Sequence, residues 1–425
     1  MQKTFLKFMM FELVERVARF RLLLSECANA LLESAPGLYR SLLAECQLLE
    51  ERLLEQKSAL NSLFSESATS SKQSTAACET LIETSYARLQ ALSQVLCRLK
   101  ELTVPSESHL FLKDVLPETL LKQAGEHSVF LGPEGPENGN LPVLPNVLFD
   151  RLSILQKNNP LGWVGLCQSY ARHLLESAST LESLKLELLK GQKKLAGGLT
   201  ESIAEALIVH AINLRLLGPA YYFQALSEAF LSGDGTFLQV VEPALFFGLH
   251  HQNFSHKNLV ILHEACERSK PEQAAELQPL SEEALTSLFR AVEKVIPAKY
   301  AFNEKNMQRA IQLQERLSEG ILLSSTPLFP VEAVADNLAQ NRDKADFSIY
   351  GPLSMLTEYP HSPKEIVNAG WLHKMERGPI WLYTIFNEGQ RTGLETVLGL
   401  LEYQDHLLRK SIETSEIHRV LLCGQ

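Results

Sequence analysis

Nowhere in the 425 residues is there an uninterrupted apolar run of about 18, so no segment reads as a membrane-crossing helix. Paired cysteines are also missing. The seven that occur (Cys27, Cys46, Cys78, Cys97, Cys167, Cys266 and Cys423) are odd in number, scattered, and never spaced Cys-x-x-Cys. That excludes a disulfide framework or a cysteine zinc ribbon, and it fits buried thiols in a reducing, cytoplasmic setting. Positive charge is in deficit: 40 Lys and Arg against 50 Asp and Glu give a net charge of -10. Most of the surface would repel a phosphate backbone, which argues against a nucleic-acid partner. Repeats and alternating apolar and polar runs are lacking too, which disfavours parallel-sheet folds and regular solenoids.

Signatures of catalysis are equally scarce. There is no nucleophile elbow, no zincin helix, and no repeated Glu-x-x-His of the di-iron bundles. Asp336, Asp343 and Asp346 lack the spacing of a magnesium-holding Asp-Asp-x-x-Asp motif. Gly132-Pro-Glu-Gly-Pro-Glu-Asn-Gly139 has the glycines of a phosphate loop without the Lys-Ser/Thr that should follow, and it reads as exposed linker. Ser232-Gly-Asp-Gly-Thr236 resembles the glycine-rich loop of NAD and diacylglycerol kinases. Its leading serine and helical flank assign it instead to an interhelical turn. No cofactor is expected on these grounds.

What is present is helix. The hydrophobic share of 45% and charged share of 21% are those of a folded globular chain. A first helix is expected from Thr4 to Ser34, ended by Pro36-Gly37. Glu12, Glu15 and Arg16 interrupt its apolar run too early for a secretory signal. Its Phe and Met residues, with Lys3, Lys7, Arg16, Arg19 and Arg21, form an amphipathic stripe. The stripe would pack on the protein itself or make a weak contact with an anionic membrane surface.

From Tyr39 a heptad places Tyr39, Cys46, Leu53 and Leu60 at one seam position and Leu42, Leu49, Gln56 and Leu63 at the other. After the Ser/Thr-rich stretch Ser65 to Ser74, a second heptad has Ile82, Leu89 and Leu96 alternating with Cys78, Ser85, Leu92 and Leu99. Two such seams predict a coiled-coil-like antiparallel hairpin with arms roughly 40 Å long. The fold class is therefore all-α: a helical hairpin region over 1–104, a Pro/Gly-rich linker over 105–145, and an irregular multi-helix bundle over 146–425 with a possible subdivision near 297–303. Within the bundle, Ser362-Pro-Lys-Glu365 and Thr392-Gly-Leu-Glu395 are capping boxes, and Thr200, Ser255, Ser281 and Asn303 are further helix starts.

Three groups of residues are candidates for chemistry. On a helix begun at Ser255, His256, His263 and Glu267 fall within about 40° of one another, a weak metal-ligating stripe beside Leu259 and Leu262; the plainer reading is a solvated helix boundary. His173 and His210 sit on apolar faces, each needing a local hydrogen-bond partner. Between Phe347 and Arg391 the aromatics concentrate. There Trp371, Val367 and Met375 share a core face, while His373, Glu376 and Arg377 lie opposite. Trp371, His373, Arg377, Trp381 and Tyr383 are the binding candidates, by the rule that aromatics with arginine build interface anchors. The leading expectation is a helical scaffold or interaction protein that uses its hairpin to hold a partner or a second copy. The alternatives are an all-α enzyme or metal protein with its site in the bundle, and a peripheral membrane or lipid-binding protein.

Overall fold

The computed structural model describes residues 2–26, 28–29, 32, 36–55, 72–98, 128–132, 140–141, 144–151, 159–192, 200–269, 280–323, 362–387, 399–409 and 411–412. The described residues begin with the helices α1 (Gln2–Glu26), α2 (Pro36–Glu55) and α3 (Lys72–Arg98). A small sheet follows, made of β1 (Ser128–Gly132), β2 (Asn140–Leu141) and β3 (Leu144–Arg151). A 3-10 helix (Pro160–Cys167) then leads into α4 (Gln168–Ser177), α5 (Ser179–Gln192), α6 (Glu201–Leu217) and α7 (Pro219–Ser232). After a π-helical turn (Phe237–Val241) come α8 (Glu242–His251), α9 (Lys257–Ser269), α10 (Glu282–Val295), α11 (Glu304–Leu323) and α12 (Pro363–Asn387). Residues 399–409 form a last helix, α13.

The all-α class holds for the body of the molecule. The departure is the sheet, which lies mostly within the stretch expected to be linker. Its order is β1-β3-β2, with Ser128 to Gly132 paired in parallel register with Val147 to Arg151. Val129-Phe-Leu131 and Val147-Leu-Phe149 are strand-like apolar runs, but each is short and set among Pro and Gly, so periodicity alone does not separate them from loop. No helix among the described residues is long and apolar enough to cross a membrane.

The two predicted heptads are helical, and their seams are buried: Leu42, Cys46, Leu49 and Leu53 on α2, and Cys78, Ile82, Ser85 and Leu89 on α3. Both arms lie against α1, and they also meet each other at the Arg88–Glu45 ion pair. Positions Gln56, Leu60, Leu63, Leu99 and Ser65 to Ser71 lie outside the described residues, as does the Thr392 capping box. Pro36 opens α2 rather than closing the first helix, because proline at the first helical position loses no hydrogen bond and has its φ already set.

Among the described residues, α1 and α7 are buried on nearly every side, as is the first half of α12. On α1 the buried residues run almost without a gap from Leu6 to Leu24, and on α7 from Pro219 to Ser227. A helix apolar all round can only be stable inside the molecule. α7 joins two packed groups, touching α1, α3 and α12 on one side and α6 and α8 on the other. The second group is built around α6, which packs on α4, α5, α8 and α10.

The join between α6 and α7 is satisfied by one side chain from far along the chain. Asn368 of α12 donates to the Leu217 carbonyl at 2.7 Å and to Lys364 O at 2.8 Å, and it accepts from the Ala220 amide at 2.7 Å. It thereby partners a carbonyl at the end of one helix and an amide at the start of the next, groups that helix termini leave orphaned. Gly218 between them has φ +67, and a Cβ there would run into the Phe302 ring. Phe302, inside the proposed 297–303 boundary, is fully buried in the common core, and its amide donates to Arg215 O at 2.9 Å.

The predicted caps are largely present. Ser362 and Glu365 form the reciprocal capping box (3.3 and 2.9 Å), Thr200 accepts from Ile203 N, Ser281 from Ala284 N, and Asn303 from Asn306 N. Ser255 is the exception: α9 starts at Lys257, and the His256 ring accepts from the Asn258 amide at 3.2 Å. Gly233 (φ +69) ends α7 in the left-handed conformation, and Asp234 accepts from Phe237 N at 3.0 Å, so the Ser232 to Thr236 segment is an interhelical turn.

Candidate functional site

The densest polar chemistry lies on α1. Glu12, Glu15, Arg16 and Arg19 recur at helical spacing and form one charged stripe on an otherwise apolar helix. Lys374 of α12, 2% exposed, lies 2.5 Å from Glu12 Oε1 and 2.7 Å from Glu15 Oε2, with its ammonium 4.6 Å from the Trp371 ring centroid. Arg19 pairs with Glu15 at 2.7 Å and with Asp405 of α13. Arg16 pairs with Glu228 of α7 at 2.8 Å, and the Tyr86 hydroxyl of α3 donates to the same carboxylate at 3.1 Å. Ser227 donates to Glu12 at 3.0 Å.

Three cations thus face four carboxylates across five helices. Burial would raise the Glu15 carboxyl, but Lys374 and Arg19 outweigh it and hold it at about 2. Asp405 goes the other way, because burial wins over Arg19 and lifts it above its ordinary value. Three of the charges that sequence reasoning offered to a membrane surface are thus paired within the chain: Arg16 with Glu228, Arg19 with Glu15 and Asp405, and Arg21 with Glu50. On the described part of α1, Phe8, Met9, Met10, Phe11 and Phe20 are buried against the rest of the chain.

The aromatic candidates are core. Trp371 stacks on Phe223 at 6.1 Å and donates to Leu161 O at 3.1 Å; Trp381 lies 5.6 Å from Phe11. His373, expected on an outward face, is fully buried 3.0 Å from Ser318 Oγ, and burial with Arg377 lowers its imidazole to about 3. The reason is that the polar side of α12 is covered by polar positions of α11: Gln314 binds Glu376, and Ser318 meets His373. Arg377 is half-buried, and Tyr383 is exposed beside exposed Ile380.

The histidine stripe is rearranged. His256 is engaged at the start of α9, while His263 and Glu267 turn toward α8 and meet Glu242 there. The ligating atoms of Glu242, His263 and Glu267 lie within 4.8 Å of one another. His263 Nδ1 is 2.9 and 3.2 Å from the two Glu242 oxygens, and Phe246 stacks on the imidazole at 3.7 Å. Glu242 is 0% exposed and accepts from the Tyr222 hydroxyl at 2.6 Å. Burial first, then the charges of Glu242, Cys266 and Glu267, push the Tyr222 phenol well above its usual range, so it stays a donor. Sequence reasoning missed Glu242, since it belongs to another helix; its one local signal is a carboxylate at the first position of α8, beside Pro243.

A surface groove of 740 Å³ runs between α4, α5 and α6. Leu175, Ala206 and Val209 line its apolar part, and Arg172, Glu176, Glu182, Lys185 and Glu205 its charged part. Lys185 bridges Glu201 at 2.9 Å and Glu205 at 3.0 Å. His210 lies at one side, its Nδ1 2.8 Å from the buried Tyr221 hydroxyl. Burial, opposed by Asp234 and reinforced by Arg172, lowers this imidazole to about 4, so it is neutral near pH 7.

Of the two histidines expected to find local partners, His210 has one in the Tyr221 hydroxyl. The chain breaks at Ala178 (ψ 107) between α4 and α5, and the His173 side chain lies outside the described residues. No known family, curated protein or solved structure matches this chain.

Proposed function

We propose that the chain is a helical interaction protein without catalytic activity, a scaffold that receives a segment of a partner protein in the groove between α4, α5 and α6. The observation that carries this is the groove itself: 740 Å³, with apolar side chains within it and charges of both signs around it. Apolar contact supplies affinity and mixed rim charge supplies register and partner choice, which is how a peptide segment is distinguished from a detergent-like ligand. Several core-facing polar groups are committed within the fold, Glu12 and Glu15 paired with Lys374 and Asn368 bonded to backbone. The hairpin enters as a secondary contact through its outer face, where Arg40, Gln47, Glu51, Glu79 and Glu83 are exposed. A reducing, cytoplasmic setting suits Cys46 and Cys78, whose thiols burial raises to about 12 and about 11 and so makes inert.

Photo-crosslinking tests the proposal. A photoreactive side chain at Glu182 in the groove, and another at Glu83 on the outer face of α3, would be irradiated in cells that make the full chain natively. A discrete adduct from position 182 that disappears with Arg172→Glu/Lys185→Glu is the expected result. Equal labelling from both positions, or none from 182, would overturn it.

A further inference from the structure

We infer that Glu242, His263 and Glu267 form a binding site for one divalent transition-metal ion of the zinc class, a function separate from the groove. Glu242 is wholly buried, and its partners among the described residues are a tyrosine hydroxyl and the His263 ring; neither is a fixed cation. A buried carboxylate without a lysine or arginine carries a large desolvation penalty that a proton or a cation must relieve. Lys374 plays that part for Glu12 and Glu15, and among the described residues nothing equivalent reaches Glu242.

The donor set supplies the rest. Zinc binds imidazole nitrogen and carboxylate oxygen at about 2.0–2.2 Å, which places two ligands of one ion about 2.8–3.6 Å apart for angles between a right angle and tetrahedral. The 2.9 and 3.2 Å separations of His263 Nδ1 from Glu242 span the short end of that range. Glu267, exposed on the next turn of α9, completes the trio within 4.8 Å.

Two further contacts preorganise these ligands. The Tyr222 hydroxyl holds Glu242 from behind, and Phe246, parallel to the imidazole within 10°, fixes the His263 ring plane. Outer-shell partners of this kind are what metal sites use to orient their ligands. Two carboxylates balance a divalent charge, and three protein ligands leave a coordination position for water. His263 is 22% exposed while Glu242 is buried, so that open position faces solvent.

Equilibrium dialysis of the full-length protein against Zn2+, followed by elemental analysis, and Co2+ titration read by visible absorption test the site. The wild type is expected to retain one equivalent and to give the d–d bands of a four- or five-coordinate nitrogen/oxygen site. Glu267→Gln and His263→Ala should weaken binding at least tenfold, while His256→Ala leaves it unchanged. Excess Mg2+ should not compete, since imidazole ligation favours the softer ions. Because Glu242→Gln alters a buried residue and can disturb folding, the exposed Glu267→Gln is the deciding variant. Retention below a tenth of an equivalent, thiolate charge-transfer bands, or undiminished binding in His263→Ala/Glu267→Gln would overturn the inference. None of these outcomes bears on the groove, whose lining residues are different.

Discussion

Replacing Lys374 by methionine keeps the length of the side chain and its packing on Trp371 and removes only the charge. In the wild type that charge lies 2.5 and 2.7 Å from two carboxylates, each 2% exposed. Lys374→Met leaves Glu12 with the Ser227 hydroxyl and Glu15 with Arg19, which Asp405 already shares. Breaking a buried pair by removing one partner costs about 3–5 kcal/mol, because the abandoned charge stays desolvated. Set against a total stability of about 5–15 kcal/mol, that is a large fraction. With an unfolding entropy near 2.1 cal/mol/K per residue, such a loss lowers the Tm of a chain this long by roughly 3–6 °C. Chemical denaturation followed by circular dichroism measures it directly.

The pH dependence gives a second handle on the same variant. Glu15 titrates at about 2 in the folded protein against an ordinary 4.5. Its contribution is therefore fully present above pH 4.5 and lost as the pH falls from there toward 2. The gap between wild type and Lys374→Met should close over that window. Adding Glu12→Gln and Glu15→Gln to Lys374→Met should recover about 2 kcal/mol or more, the sign of a coupled network. A loss under about 1 kcal/mol at pH 7, or no recovery from the glutamines, would refute the reasoning.

Three further outcomes follow from other parts of the fold. His210 and His373 are held at about 4 and about 3 against an ordinary 6.5, so the unfolded chain takes up protons first as the pH falls below 6.5; each should remove about 2 kcal/mol of stability between pH 7.5 and 5, seen as a falling denaturation midpoint. Asn368→Ala strands the Leu217 carbonyl and the Ala220 amide inside the core and should destabilise by about 3 kcal/mol, measured by the same titration. Gly248→Ala drives a methyl into the Phe289 ring and should cost about 1–3 kcal/mol despite alanine's better helix propensity, whereas Gly37→Ala, with nothing within 4 Å, should be neutral or mildly stabilising by thermal melt.

Local chemistry was legible in the sequence wherever the deciding residues are neighbours along it. The Ser362 to Glu365 box, the Thr200 and Ser281 caps and the Ser232 to Thr236 turn each involve partners within a few residues, and each forms. The heptads marked Leu42, Cys46, Leu49 and Leu53 on α2 and Cys78, Ile82, Ser85 and Leu89 on α3, all buried, but neither the buried Tyr86 nor the placement of α1 against both helices, because a seam specifies apolar surface and not its partner. Tertiary pairing across 21 residues joins His263 to Glu242, and no spacing rule reaches that far. One signal was readable and under-weighted. A helix apolar on every side that still carries Glu12, Glu15, Arg16 and Arg19 on one stripe must bury them, and buried charges need partners.

The same distinction shaped the candidate site. Trp371 was placed on a core face and is buried, yet His373 was set outside, because wheel geometry cannot anticipate that α11 would bring Ser318 and Gln314 to cover the polar side. The groove beside His210 was hidden for a similar reason. It is made by α4, α5 and α6 together, after a break at Ala178 that the apolar stripe runs straight through.

The most direct test of the central claim is the affinity of the cross-linked partner segment, made as a peptide, for three forms of the full chain: wild type, Arg172→Glu/Lys185→Glu in the groove, and Glu83→Lys on the outer face of α3. Isothermal titration calorimetry should show binding about tenfold weaker or worse for the groove variant, and no change for the α3 variant. Unchanged affinity in the groove variant, with a loss in Glu83→Lys, would contradict a partner seated in the groove and move it to the hairpin.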